Sequence, residues 1–309
     1  MDKDADSIAR KMVELDLWDA VAPYNWAVKP RGTALPYFCT VMGDSASSAI
    51  KVHFMMLEGW QTFHDYIRTR IDGNFGFYST PSELPQFELV VCKDGSFRIF
   101  RRDPGYAPRP PTPAENALCA RILWEAYGMI LRMEADQSLA MSFAAENAIF
   151  ARVEGADGVW RDEPLAVPAP RPHVERIGFR KSDIAAAKDL PFASEEKISV
   201  DFRITPSVQT AEARPRTGYA LVGVDSATGR KLMDLGMVVN AETGLRGMWE
   251  SMPSRFLGEL IARGRIPGEI KVRSGRVFRL LRTLGAELPF KLSLHDALPE
   301  IEAAFAARR

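Results

Sequence analysis

The sequence predicts two domains of mixed α+β and α/β class: an N-terminal α+β domain, then a mixed sheet of order βββαβαβα with flanking helices. Three observations carry this. The stretch PLAVPAPRP at 164–172 places four prolines in nine residues, which neither a helix nor a central strand accommodates. It reads as an extended linker between residues 1–163 and 173–309. Past the linker, strand-like runs at 197–205, 217–225 and 230–239 follow one another, with Asp225-Ser226-Ala227-Thr228-Gly229 as the turn between the last two. Beyond them, short strands alternate with helices, the pattern of strands joined through helical crossovers.

Taken in order, a helix is expected over about 5–21. ALPYFCTVMGDSASSAIKVHFMML reads as strand, turn and strand, with Gly43-Asp44 opening the turn. GWQTFHDYIRTRI follows as a helix, with Trp60, Phe63, Ile67 and Ile71 on one face. FELVVCK and SFRIFRR form a hairpin across Asp94-Gly95. Thr112-Pro113-Ala114-Glu115 is a capping box with proline at the first helical position. The helix it starts runs to about Met133, with Leu118, Ile122, Leu123, Ala126 and Ile130 inward. SLAMSFA, AIFARVEG and DGVWRDEP read as further strands, with a turn at Asp157-Gly158. In the second domain KSDIAAAKDL is a short helix capped by Ser182 or Asp183. A helix over about 245–264, broken near Pro253, carries the stripe Phe256, Leu257, Leu260 and Ile261 and ends at Ile266-Pro267-Gly268. EIKVR is a strand, and GRVFRLLRTLG a helix with Val277, Leu280, Leu281 and Leu284 at i, i+3, i+4, i+7. PFKLSL is a last strand, and ALPEIEAAFAA a last helix with Leu298, Ile301 and Phe305 inward.

Composition narrows the function class. The 309 residues are 46% hydrophobic and 26% charged, ordinary for a globular protein, and no run approaches the roughly 18 apolar residues of a membrane span. The acidic, amphipathic start lacks the basic end and apolar core of a signal peptide, so the expected location is the cytoplasm, with no membrane partner. Cys39, Cys92 and Cys119 form no C-x-x-C pair and read as free thiols. His53, His64, His173 and His295 have no metal-ligand spacing, so no metal site is expected. A histidine–carboxylate pair is conceivable for His53 or His64 with Glu58 or Asp65, but no nucleophile stands beside it. No P-loop, G-x-S-x-G elbow or zinc finger occurs. Net charge is zero, yet residues 1–172 carry −5 and residues 173–309 carry +5. Such asymmetry fits either a polyanion partner for one half or attraction between the halves.

The order βββαβαβα, with Asp201 in the first strand and Asp225 to Arg230 at the hairpin turn, resembles the ribonuclease H-like fold, and in particular the integrase cores of transposases. Those cores place an aspartate in the first strand, a second carboxylate after a later short strand, and a glutamate on a late helix. The resemblance covers about residues 195–309. It implies Asp201 as the first carboxylate and the run Pro267 to Arg276 as the approach to the second. It implies Asp296, Glu300 or Glu302 as the third. Such nucleases use two divalent metals about 4 Å apart, held by converging carboxylates. At the second position this chain has Ser274, flanked by Arg273 and Arg276. The whole chain, including PYFCTVMGD, also resembles a group of bacterial two-domain proteins of unknown function.

The reading that follows is a non-catalytic binding module for protein or nucleic acid, without cofactor, on a degenerate ribonuclease H-like fold. Arg273, Arg276, Arg279 and Arg282 are its candidate nucleic-acid contacts, since guanidinium forks suit phosphate. The alternative is a Mg²⁺- or Mn²⁺-dependent nuclease or strand-transfer enzyme. It would use Asp201, Asp296 and Glu300, with Asp225 and Asp234 as further donors.

Overall fold

A computed structural model gives the fold and describes residues 4–15, 17, 25–43, 49–72, 83–136, 138–141, 147–210 and 214–306. The turn expected at Gly43-Asp44 falls partly outside these residues. The chain divides into two compact units. The first takes Met1–Arg68, Thr80–Asp103 and Pro108–Pro172, and the second Thr69–Ser79, Pro104–Ala107 and His173–Arg309.

The first unit contains α1 (Ala5–Val13), β1 (Trp26–Lys29), β2 (Tyr37–Gly43), β3 (Ile50–Glu58), α2 (Gly59–Asp72, as far as Arg68), β4 (Gln86–Cys92) and β5 (Phe97–Arg102). It continues with α3 (Pro113–Ala135), α4 (Ser138–Met141), β6 (Ala148–Glu154) and β7 (Trp160–Ala166). Its strands form one seven-stranded sheet in the order β5-β4-β3-β2-β1-β6-β7, antiparallel except where β1 runs parallel to β6. Strand alternation decides the layers. Tyr37, Cys39 and Val41 of β2, Val52, Phe54 and Met56 of β3, and Phe87, Leu89 and Val91 of β4 meet α1 and α3 in one core. Phe38, on the opposite face, stacks on Phe63 of α2 with ring centroids 4.4 Å apart. The capping box forms: Glu115 N donates to the Thr112 hydroxyl, and Thr112 N to the Glu115 carboxylate.

Several expectations change here. The first helix ends at Val13. β1, which the sequence reading leaves out because four residues show no period, is the strand that joins the two parts of the sheet. SLAMSFA begins as the helical turn α4 rather than a strand. β7 continues through Pro164 to Ala166, three residues into the segment read as linker. It is an edge strand, where a missing N–H costs no ladder bond.

The second unit contains α5 (Lys181–Lys188), β8 (Phe192–Val208), β9 (Arg216–Asp225), β10 (Lys231–Val238), α6 (Gly244–Arg263), β11 (Ile266–Val272), α7 (Gly275–Gly285), β12 (Lys291–Leu294) and α8 (Pro299–Ala306). The sheet order is β10-β9-β8-β11-β12, antiparallel across β10-β9-β8 and parallel across β8-β11-β12. Ile198 and Val200 of β8, Tyr219 and Leu221 of β9, and Ile270 and Val272 of β11 face α6 and α7. There they pack on Trp249, Phe256, Leu260, Val277, Leu280, Leu281 and Leu284. Ala220, Val222 and Val224 of β9 point the other way, onto Leu298, just before α8, and Ile301 and Phe305 of α8.

α6 runs unbroken through Pro253 and ends at Gly264 in a left-handed conformation (φ 72°), which glycine adopts without a Cβ penalty. β11 therefore starts at Ile266 and includes Pro267 and Gly268, read from sequence as a helix end. A Cβ at Gly268 would lie 1.9 Å from the Ser194 carbonyl oxygen, so glycine is what lets β11 close on β8. α5 starts after Arg180, with no side-chain cap from Ser182 or Asp183. Pro104–Ala107 joins this unit rather than the first: Ala107 N donates to Pro215 O and Thr217 N to Gly105 O, both at 3.0 Å.

Candidate functional site

Alternation along β8 builds the candidate site. Ile198 and Val200 point into the core, so Ser199, Asp201 and Arg203 share the face that α8 partly covers. Asp201 is 2% exposed. Its Oδ2 accepts from Nη2 of Arg273, the residue after β11, at 2.5 Å. Nη1 of the same guanidinium donates to Glu302 Oε1 of α8 at 2.6 Å, and Arg203 also donates to Glu302. The Arg203 guanidinium lies 4.3 Å from the centroid of the Phe305 ring. The result is a chain of alternating charge, Asp201–Arg273–Glu302–Arg203, linking β8, the end of β11 and α8. Burial pushes the Asp201 carboxyl up, against the opposing pull of Arg273 and Arg203. Arg203 and then Arg273 hold Glu302 below the usual carboxylate range, against a smaller opposing effect of burial.

The other predicted carboxylates lie elsewhere. Glu300 accepts from the Ser199 hydroxyl, whose oxygen is also 2.8 Å from Ser226 Oγ. Asp296 is exposed in the turn before α8. Asp225 accepts from the backbone N–H groups of Ala227 (3.0 Å) and Thr228 (2.8 Å), which define its turn, and Asp234 pairs with Lys231 at 3.1 Å. Ser274 is the N-cap of α7, its hydroxyl accepting from Val277 N at 3.4 Å. Among the described residues no three His, Cys, Asp or Glu side chains gather as ligands of one metal ion.

The four arginines proposed as nucleic-acid contacts do not share one surface. Arg273 is taken up by Asp201 and Glu302. Arg276 is 7% exposed, its guanidinium 4.5 Å from the Trp249 ring centroid. Arg279 and Arg282 are exposed on α7, on the face of the sheet opposite Asp201. The physical reason is the helix period. A three-residue repeat drifts about 60° per step at 3.6 residues per turn, so Arg276 swings inward onto α6 while Arg279 and Arg282 turn out.

Two polar groups escaped the sequence reading. In the first unit His53 Nδ1 contacts Glu88 across β3 and β4, and Arg102 Nε donates to the other Glu88 oxygen. Glu88 is fully buried, and although burial alone would raise its carboxyl, His53 and Arg102 together hold it below the usual range. Of the two carboxylates considered for these histidines, Glu58 pairs with Arg101 at 2.6 Å. His64 lies over Trp60, with ring centroids 6.1 Å apart. In the second unit Ser293 Oγ donates to Glu269 Oε1 (2.8 Å) and lies 2.9 Å from His295 Nε2. The alternation of polar residues at 269, 271, 273 and 291, 293, 295 was the available signal for this second group. For Glu88, nothing within its own strand distinguishes it.

No helix among the described residues is long and apolar enough to cross a membrane. Residues 183–307, most of the second unit, match the family model of a domain of unknown function, DUF6930. Comparison with curated proteins gave no match to the chain.

Proposed function

We propose that the second unit is a ribonuclease H-like domain that has lost its metal centre and acts as a non-catalytic binding module in a cytoplasmic, bacterial protein. The strand order supports the fold likeness: a three-stranded antiparallel meander whose first strand is central, extended by two parallel strands reached through helices. One observation carries the loss of chemistry, the 2.5 Å contact of Arg273 with Asp201. A two-metal centre needs converging anions to offset its charge. Here Arg273, the residue just before Ser274, pairs with Asp201, and Ser274 itself is engaged as a helix cap. Glu302, the acid that does come near, is neutralised by two arginines.

Calorimetric titration with Mn²⁺ and Mg²⁺, alongside a cleavage assay on single- and double-stranded substrates, tests this. The expected result is no saturable metal binding that depends on Asp201 and no cleavage. Binding in the micromolar range that disappears in Asp201→Ala would overturn the reading and restore the nuclease, with Asp296 and Glu300 as the first ligands to examine.

A further inference from the structure

Three lysines surround one carboxylate on the sheet of the second unit. β8, β11 and β12 run in parallel register, so Lys197, Glu269 and Lys291 lie side by side; Ile198, Ile270 and Leu292 form the next row, and Ser199, Lys271 and Ser293 the one after. The apolar row packs into the core beneath α6 and α7, so the rows flanking it share the opposite face. α8 packs on β9 and β8. On the β11 and β12 side Lys197 and Lys291 are exposed and Lys271 is half-buried.

Glu269 is 3.5 Å from Lys197 Nζ and accepts from Ser293. The Ser293 hydroxyl, then Lys291, Lys197 and Lys271, hold its carboxyl below the usual range, against a smaller opposing effect of burial. Neither the Lys271 nor the Lys291 side chain makes a hydrogen bond or an ion pair within 4 Å among the described residues. Around Glu269, then, three ammonium groups face a single carboxylate. His295, bonded through Nε2 to Ser293, stands at the same end of β12. Of the nearby acids, Asp201 is paired with Arg273, while Glu300 accepts from the neutral Ser199 hydroxyl and keeps its charge. Lys271 is a half-buried residue with no ion pair within 4 Å, so solvent screens a bound anion less there than at a fully exposed lysine.

We infer that this open sheet face binds a phosphoryl group, whose tetrahedral oxygens reach several lysines at once. Lys271 is the central contact, with Lys291 and Lys197 beside it, and Glu269 is the competing internal anion. The inference is independent of the proposal above, since it concerns other rows of the sheet and holds whether or not Asp201 takes a metal.

The test is calorimetric titration of the full chain with inorganic phosphate at constant ionic strength, with chloride as the control anion. Saturable binding is expected, weakened at least tenfold in both Lys271→Met and Lys291→Met and unchanged in Arg282→Met. Glu269→Gln is the decisive variant, because removing the competing carboxylate should tighten phosphate several-fold, which damage to the fold cannot do. Circular dichroism confirms that each variant is folded. Phenyl phosphate binding at least as well as the free ion would identify an ester as the source, and preference for inorganic phosphate would identify the free ion. The inference is overturned if phosphate heats match chloride, if both lysine variants bind like the parent, or if Glu269→Gln binds more weakly.

Discussion

At the residue scale, buried polar groups give the sharpest expectations, because each is satisfied by a small number of named partners. Arg273→Ala leaves the Asp201 carboxylate buried without its nearest cation and should cost about 1–3 kcal/mol in denaturant unfolding. Asp201→Asn, which keeps the shape and removes the charge, should cost less than about 1 kcal/mol at pH 7. Its benefit should also vary with pH. A folded-state value raised by burial means that Asp201 favours the fold when protonated and disfavours it as pH rises through that value. Glu88 and Glu115 act in the opposite sense. Their carboxyls are depressed, Glu115 to about 2 through Arg109 and the capping box, so their stabilisation is present above about pH 4.5 and is lost as pH falls below it. Acid titration of the parent against Glu88→Gln should show a shallower acid limb in the variant. The thiols allow an independent check on burial. Cys39 and Cys119 are fully buried with their thiols pushed up, Cys119 to about 12, and Cys92 is half-buried. A thiol reagent should therefore label Cys92 first in the native protein and all three cysteines only after denaturation.

At the scale of elements, the second unit rests on the closeness of β8 to β11 and on the apolar stripe of α7. Gly268→Ala drives a Cβ into the Ser194 backbone and should cost at least about 1–3 kcal/mol, measured by thermal and urea unfolding. Gly258 is its counterpart: it is exposed in the middle of α6, with no atom within 4 Å of an added Cβ and no left-handed backbone. Gly258→Ala should stabilise by up to about 1 kcal/mol. Leu281→Ala removes a fully buried side chain from the core beneath the sheet and should cost about 2–5 kcal/mol. The stripe of α7 was legible because its leucines repeat at the helical period without interruption. The course of α6 was not, since Pro253 signals a break that surrounding packing on Met252, Phe256 and Leu257 overrides. β1 was illegible for a simpler reason, in that four residues are too few to display alternation.

For the whole molecule, the sequence by itself determined the element types and the meander-then-crossover order of the second unit, because alternation, helical stripes and turn residues are local and each predicts its own element. Under the ribonuclease H-like resemblance it also implied Ser274 at the place of the second carboxylate. The tertiary structure decided which polar residues meet. Asp201 and Arg273 are 72 positions apart, and Glu302 lies 29 beyond Arg273; only the parallel register of β8 with β11 and the seating of α8 bring them into one chain of charges. The same register turned three unrelated lysines into a patch around Glu269, while the helix period dispersed four arginines that looked like one group in sequence. Local physics writes secondary structure into neighbouring residues. A site depends on register and layer packing, which link residues that carry no mark of one another along the chain.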